Sequence, residues 1–269
     1  MRQFVLLTAV VQIVSSTAFA TVIDYYRFEN NLIDSGTGAH NATVLAGSPT
    51  FSSSVPAATI PQTGQSDTKS LSMATADALL FSYAFPFDSL TNATLEFYVD
   101  PAPVSSEQDL FWTTTGSGDQ NRFNIGINTS GSLFMDYRDN SGNPGVLHLS
   151  LGSAASSIIA NQWNFVAIVK SGISYSIYVN NLSPVTTVDS SPNLPTSTGW
   201  TINGRATEQP SSCCQFSGLI DEVRISDQAL SPSQFLNSSP SSIPEPASLA
   251  LLSLGLSMLV AKRLVSRRR

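Results

Sequence analysis

Short runs of alternating apolar and polar residues recur through the middle of the chain. In residues 95–99, LEFYV, every second position is apolar and points to one side of an extended chain, and three further runs show the same period. A period of two is typical of strands that bury one face. The residues predicted to share a face are Leu95, Phe97 and Val99; Leu133, Met135 and Tyr137; Phe165, Ala167 and Val169; and Tyr175, Ile177 and Val179.

Turn-forming residues separate these runs. Residues 129–131, 140–145, 171–172 and 180–181 are made of Gly, Asn, Ser, Pro and Thr, and helix signals are scarce. Many short strands with such punctuation predict an all-β fold, an antiparallel sandwich.

The first 20 residues have a different pattern. Arg2 precedes the apolar residues 4–14, and Ala18-Phe19-Ala20 offers small residues where signal peptidase needs them. This predicts a signal peptide over residues 1–20, cleaved before Thr21. A buried N-terminal helix is the alternative, but no cap or polar face accompanies the run.

The other end carries a second apolar segment. Residues 247–261 are uncharged, and with Leu264 and Val265 the segment reaches about 19 positions, close to the length of a membrane span. Lys262 and Arg263 can snorkel, and the basic residues 267–269 favour the cytoplasmic side. The pattern predicts one C-terminal transmembrane helix with the body outside; a short buried helix is disfavoured because it would need a polar face.

Pro244-Glu245-Pro246, this helix and the basic terminus together resemble the PEP-CTERM sorting signal of Gram-negative bacteria, here residues 244–269. The resemblance implies an exosortase-type membrane protease that removes the tail, often alongside exopolysaccharide production. The protein would then be exported, anchored in the cell envelope first and extracellular or on the outer surface afterwards. The Ser/Pro-rich residues 231–243 are predicted to be a mobile linker.

The net charge limits the classes of ligand, and the cysteine positions limit the possible disulfides. The body, residues 21–246, has seven basic and 19 acidic residues and a net charge of −12, which disfavours nucleic acid and suits an extracellular surface with divalent cations. The two cysteines, Cys213 and Cys214, are adjacent, so the options are a vicinal disulfide, an intermolecular bridge or free thiols.

Three stretches of the body resemble laminin-G-like domains of the concanavalin A-like lectin/glucanase superfamily. They are residues 25–47 (YYRFENNLIDSGTGAHNATVLAG), 162–181 (QWNFVAIVKSGISYSIYVNN) and 216–235 (FSGLIDEVRISDQALSPSQF). The resemblance implies a jelly-roll sandwich of two antiparallel sheets over residues 21–230, with the first and last strands side by side. A longer link, residues 206–215, departs from the family pattern and contains both cysteines.

One carboxylate in the last stretch needs a partner. Simple alternation along GLIDEVRIS places Asp221 on the apolar face with Leu219, Val223 and Ile225, and Glu222 and Arg224 on the wetter face. A charge on an apolar face is costly unless it is paired. Asp221 could be satisfied by backbone N–H groups alone.

The family resemblance implies a structural Ca²⁺ where the first and last strands meet. Asp221, Glu29 and Asp34 are then the candidate ligands, and backbone carbonyls of residues 36–40 would complete the six to eight oxygens that Ca²⁺ takes.

The sequence shows no recognisable set of catalytic residues. Glycoside hydrolysis needs paired carboxylates, and no Glu-x-Asp-x-Glu run occurs; His40 and His148 lie in different segments without a triad. Trp112, in the loop-like DLFWTTTGSGD, could stack on a sugar or fill the core. We expect a non-enzymatic surface or extracellular-matrix protein that binds carbohydrate or a surface protein. A glycan hydrolase of the same superfamily and a purely structural matrix component are the alternatives.

Overall fold

The computed structural model describes residues 20–103, 105–114, 121–139, 146–180, 182–189, 197–204 and 214–239. Within these ranges the chain forms 15 strands and two short 3-10 helices, Pro86–Asp88 and Pro232–Gln234. The strands are β1 Val22–Tyr26, β2 Thr43–Ala46, β3 Thr50–Ser52, β4 Ser70–Met73, β5 Ala78–Phe81, β6 Asn92–Pro101, β7 Gln108–Thr114, β8 Arg122–Ile127, β9 Leu133–Arg138, β10 Leu147–Gly152, β11 Asn164–Ser171, β12 Ser174–Val179, β13 Val185–Val188, β14 Gly199–Ile202 and β15 Gly218–Ser226.

The strands form two antiparallel sheets, as the sequence predicts. The eight-stranded sheet has the order β13-β12-β11-β6-β15-β4-β3, with β1 paired to β15, and the seven-stranded sheet has the order β10-β9-β8-β7-β14-β5-β2. The first strand therefore lies beside the last one, which confirms the jelly-roll expectation.

The main core lies between the two sheets and takes side chains from both. The predicted faces of β6, β9 and β12 all point into it, for example Phe97, Met135 and Ile177. The predicted face of β11 is also buried, but it points away from the main core. Phe165, Ala167 and Val169 lie on the outer side of the eight-stranded sheet in a second, smaller core, because β11 is buried on both faces.

A segment that follows β15 covers this outer side. Residues 228–238, here named the C-terminal strap, place Phe235 and Leu236 in the second core at 3% and 0% exposure. Part of the predicted mobile linker, residues 231–243, is thus held on the sheet by Phe235 and Leu236, although the 3-10 helix Pro232–Gln234 before them is exposed. The packed body extends to Ser238, and residues 240–243 lie outside the described residues. The correction has a simple cause: two apolar residues inside the Ser/Pro-rich stretch find an apolar surface to cover.

Most of the predicted signal peptide and the whole of the predicted tail, residues 244–269, lie outside the described residues. Across the ranges given above, no helix is both long and apolar enough to span a bilayer.

Candidate functional site

The last strand changes its neighbour halfway along. On one edge of β15, residues 218–220 pair with β4 and residues 223–226 pair with β1, while β6 pairs along the other edge. Between the two halves the register to β6 shifts, and Glu222 has φ +51°. This is a β-bulge, which leaves a notch in the sheet between the end of β1 and the start of β4.

The bulge reverses the side-chain alternation. Ile220 and Val223 both point into the main core, so Asp221 between them points away from it. The prediction that Asp221 shares the apolar face with Val223 is therefore wrong, because one extra residue shifts a period of two. The face predicted to be wetter is also buried: Glu222 is 0% and Arg224 is 6% exposed.

Four carboxylates meet at the notch, and they are named here the carboxylate cluster: Glu29, Asp67, Asp221 and Glu222. One oxygen each from Asp67, Asp221 and Glu222 lies within 4.8 Å of the others. Glu29 stands beside them, since its charge raises the pKa of both Asp67 and Asp221. Its own carboxylate accepts hydrogen bonds from the N–H and the hydroxyl of Thr68 at 2.7 and 2.5 Å.

Two members of the cluster have unsatisfied oxygens. Glu222 accepts hydrogen bonds from the Tyr25 hydroxyl and from Arg27 Nε, the latter at 3.1 Å. By contrast, both carboxylate oxygens of Asp67 and Oδ2 of Asp221 are buried with no hydrogen-bond partner. The other oxygen of Asp221, Oδ1, accepts the N–H of Glu222 at 2.9 Å.

Burial and mutual repulsion shift the titration of these groups. Desolvation, followed by the charge of Glu222, raises the pKa of Asp67 to about 7. Desolvation, followed by the charge of Asp67, raises the pKa of Asp221 to about 10. At neutral pH the cluster therefore requires either protons or a bound cation.

A second acidic group lies on the other side of β1. Asp34 accepts the N–H groups of Tyr25 and Gly36, each at 2.7 Å, and of His40 at 2.9 Å. Asp24 accepts the Tyr83 hydroxyl at 2.7 Å and contacts His40 Nδ1 at 2.8 Å. All four carboxylate oxygens thus have partners, and the group organises the turn after β1.

The three predicted metal ligands therefore do not converge. Glu29 and Asp221 meet at the notch, whereas Asp34 belongs to the turn. Sequence reasoning missed Asp67, and it took the face that carries Glu222 to be solvated although Glu222 is buried. Nothing in the polar stretch GQSDTKS distinguishes Asp67 from a solvated loop residue; the only available signal was its position just before β4.

The outer face of the seven-stranded sheet carries a row of directly opposed residues, one from each of five neighbouring strands. Phe111, Phe123, Met135 and Ile202, which flank them in sequence, point into the core, so the row faces outward. The polar row consists of Thr201, Trp112, Asn124, Asp136 and Ser150.

Trp112 belongs to β7 and not to a loop, so that expectation is corrected. Its side chain faces outward but is only 5% exposed, and the Arg122 guanidinium lies 4.1 Å from the ring centroid. Beside it, Asn124 is 2% exposed and its Oδ1 has no hydrogen-bond partner in the described structure.

Of the remaining predicted residues, only Cys214 lies within the described residues. Cys214 is disulfide-bonded, and its carbonyl accepts the N–H of Asp109 at 2.6 Å. Cys213 lies outside the described residues, as do Pro244, Glu245 and Pro246, so the vicinal pairing stays a prediction.

Comparison with known proteins agrees with this architecture. Domain 4 of AbnA, a GH43 extracellular arabinanase from Geobacillus stearothermophilus solved with arabinotriose, is 17% identical with a TM-score of 0.55, over 81% of this chain and 97% of that one. The binding domain of botulinum neurotoxin serotype D/C VPI 5993 is 14% identical with a TM-score of 0.56, over 81% of this chain and 51% of that one. At these identities the likeness shows the fold alone. A search of curated proteins gives no match.

Two family models match the sequence. The PEP-CTERM protein-sorting motif matches residues 242–269, which points to an exported, envelope-associated protein and implies processing by an exosortase-type membrane protein. The Laminin_G_3 model of the concanavalin A-like lectin/glucanases superfamily matches residues 73–235, more than half of the chain. The chain therefore belongs to the concanavalin A-like lectin/glucanases superfamily and carries a PEP-CTERM sorting motif.

Proposed function

We propose that the protein is a non-catalytic carbohydrate-binding domain of the cell surface or extracellular matrix, with the polar row as its binding face and exopolysaccharide as its ligand class. The observation that carries the proposal is the amide of Asn124. Its Oδ1 is buried and unsatisfied, and it stands between an aromatic ring, Trp112, and a carboxylate, Asp136. An acceptor in this position is satisfied when a ligand hydroxyl reaches it.

The chemistry of the row suits a sugar chain. Amide, carboxylate and hydroxyl groups bind sugar hydroxyls, and the row offers them at Asn124, Asp136 and Ser150. Strands lie about 4.8 Å apart, so five residues across five strands span roughly 19 Å, the length of a short oligosaccharide. Domain 4 of AbnA, which shares the fold, was solved with a bound oligosaccharide, arabinotriose.

The same row supports binding without catalysis. Glycoside hydrolysis needs two carboxyl groups about 5 to 9.5 Å apart across the scissile bond. The polar row offers one carboxylate, Asp136.

The test is titration calorimetry of the full-length protein in mild detergent with purified bacterial exopolysaccharides. We expect Asn124→Ala and Asp136→Asn each to weaken binding at least tenfold, while Thr187→Ala on the opposite sheet leaves it unchanged. Unchanged melting temperatures would show that the loss is local. Binding that survives both substitutions would overturn the assignment of the row, release of reducing ends would support the hydrolase, and the absence of any binding would favour a purely structural component.

We also propose that the carboxylate cluster holds one structural Ca²⁺. The donors are carboxylate oxygens, the type that Ca²⁺ prefers, and three of them are buried without partners, on Asp67 and Asp221. Asp67, Asp221 and Glu222 would hold the ion with Glu29 beside them, and the bound cation would supply the positive charge that these buried acids lack. Asp34 is not in this set because its oxygens already accept three N–H groups.

Terbium luminescence and elemental analysis test the metal site. We expect one bound ion per chain and a loss of binding in Asp67→Asn. The matched control is Asp100→Asn, an acid on the neighbouring strand β6 outside the cluster, which should leave binding intact. An unchanged affinity in Asp67→Asn would exclude the notch as the site.

A further inference from the structure

We propose that cation binding in the carboxylate cluster controls the docking of the C-terminal strap, the segment that leads from the domain to the sorting motif. This inference rests on the proposed Ca²⁺ site and adds a consequence to it. It follows from two series of connections that start at the cluster and end on the same few residues of the strap.

The first series of connections runs through one tight turn, residues 59–66. Thr59 and Ser66 form an antiparallel bridge, and the Ile60 N–H donates to the Gln65 carbonyl at 2.9 Å. Asp67 follows this turn directly, and its N–H donates to the Ala58 carbonyl at 3.1 Å. Because Asp67 closes the turn, its position sets the position of residues 59–66.

The far side of this turn holds the strap. The Gln62 N–H donates to the Leu236 carbonyl at 3.2 Å, and the Ser238 hydroxyl donates to Gln62 Oε1 at 3.0 Å. Ile60, fully buried, packs with Phe235 and Leu236 in the second core. A displacement of the turn therefore removes both the hydrogen bonds and the apolar surface on which the end of the strap rests.

The second series of connections runs along β15. Glu222 of the cluster is two residues from Arg224, whose Nε donates to Glu96 Oε2 at 2.7 Å. Arg224 Nη2 also donates to the Gln234 carbonyl at 3.0 Å, and Glu96 Oε1 accepts the Leu236 N–H at 2.8 Å. A buried ion pair between β15, the strand that carries the bulge, and β6 thus fixes the middle of the strap.

Arg27 links the two series of connections. Its Nε donates to Glu222 and its Nη2 donates to the Ser66 carbonyl at 2.5 Å, so it bridges the bulge and the turn. With a cation bound, Asp67 is attracted to the notch and the turn is held in place. Without it, the Asp67 carboxyl lies within 4.8 Å of the carboxyl oxygens of Asp221 and Glu222, and neither of its own oxygens has a hydrogen-bond partner, so movement of Asp67 outward to water relieves the crowding of acids.

Docking of the strap changes the reach of the chain beyond it. From Ser238 to Pro244 there are six residues, which extend to roughly 20 Å at most. Release of the strap from residue 228 adds ten residues and raises this limit to roughly 55 Å. The distance allowed between the folded body and the sorting triplet is thus a function of cation occupancy.

Hydrogen–deuterium exchange of the full-length protein in detergent tests the coupling, with Ca²⁺ and with chelator. We expect chelation to speed exchange of the Leu230 and Leu236 amides at least tenfold while β9 amides keep their protection. In saturating Ca²⁺, Gln62→Ala should speed exchange of the strap without changing terbium binding. Gln65→Ala, an exposed neighbour on the same turn, should change neither.

The outcomes separate the two proposals. If calcium binds and chelation leaves exchange of the strap unchanged, the coupling is overturned and the metal site stands. If every amide loses protection together, the effect is global unfolding and the coupling is likewise overturned. If no ion binds, the metal site fails and this inference fails with it.

Discussion

The stability of the ion-free protein should fall as the pH rises from 5 to 8, the reverse of what salt-bridged carboxylates produce. Asp67 has a pKa of about 7 in the fold, against an ordinary value of 3.8. A carboxyl whose pKa is raised by folding binds its proton more tightly in the native state. Its contribution is complete below the unfolded pKa and is lost as the pH rises through about 7.

The size of the effect follows from proton linkage. At pH 5 the folded state holds about one more proton at Asp67 than the unfolded state, and at pH 7 it holds about half a proton more. At about 1.4 kcal/mol per proton and pH unit, the free energy of unfolding falls by about 2 kcal/mol between these two pH values. For a domain of this size that corresponds to a melting temperature lower by roughly 5 to 10 °C. Asp221, whose pKa is raised to about 10, adds to the fall in the same direction.

Circular-dichroism melts of ion-stripped protein at pH 5 and pH 8 measure this difference. Added Ca²⁺ should restore stability at pH 8 far more than at pH 5, because the ion replaces protons that are absent only at the higher pH. Asp67→Asn, which cannot ionise, should reduce the pH dependence of the ion-free protein. An ion-stripped protein that is more stable at pH 8 than at pH 5 would refute the reasoning.

Three substitutions separate the ligands from their surroundings. Asp221→Asn should lower Ca²⁺ affinity more than tenfold in terbium titrations, and unchanged affinity would remove Asp221 from the site. Asp34→Ala should lower stability by about 2 kcal/mol in urea unfolding, because three N–H groups lose their acceptor, with Ca²⁺ affinity retained. Glu96→Gln should cost about 3 kcal/mol, since Arg224 is left buried without its counter-charge; a neutral result would show that the pair does not hold the strap.

The regular parts of the fold could be predicted from the sequence because nothing interrupts their alternation. In β9 the residues predicted to be buried are buried, and those between them are partly exposed. β11 shows the limit of the pattern, since a strand covered on both sides gives no contrast between faces. The covering segment itself looked like a linker, because Ser and Pro outnumber its two buried apolar residues, Phe235 and Leu236.

The candidate site was only partly predictable, and the reason is the bulge in β15. The direction of Asp221 depends on the left-handed conformation of Glu222, a residue type that does not favour positive φ, so the sequence carries no local signal for it. Glu29 was identified through the family resemblance. Asp67 is brought to the notch by the turn 59–66, a contact between distant segments that no local pattern reveals.

The bulge also explains why the acids are where they are. A regular strand would have sent Asp221 into the main core, where a carboxylate has no partner; the extra residue sends it into the notch, beside Asp67 and Glu222. Four carboxylates with one nearby arginine are a poor way to stabilise a sandwich, since apolar residues of similar volume do so without a desolvation cost. The cluster is stable only when protons or a cation compensate its charge. Because the proton leaves Asp67 near pH 7, a cation takes over the compensation of that carboxylate above pH 7, and the ion-stripped melts at pH 8 measure the cost of its absence.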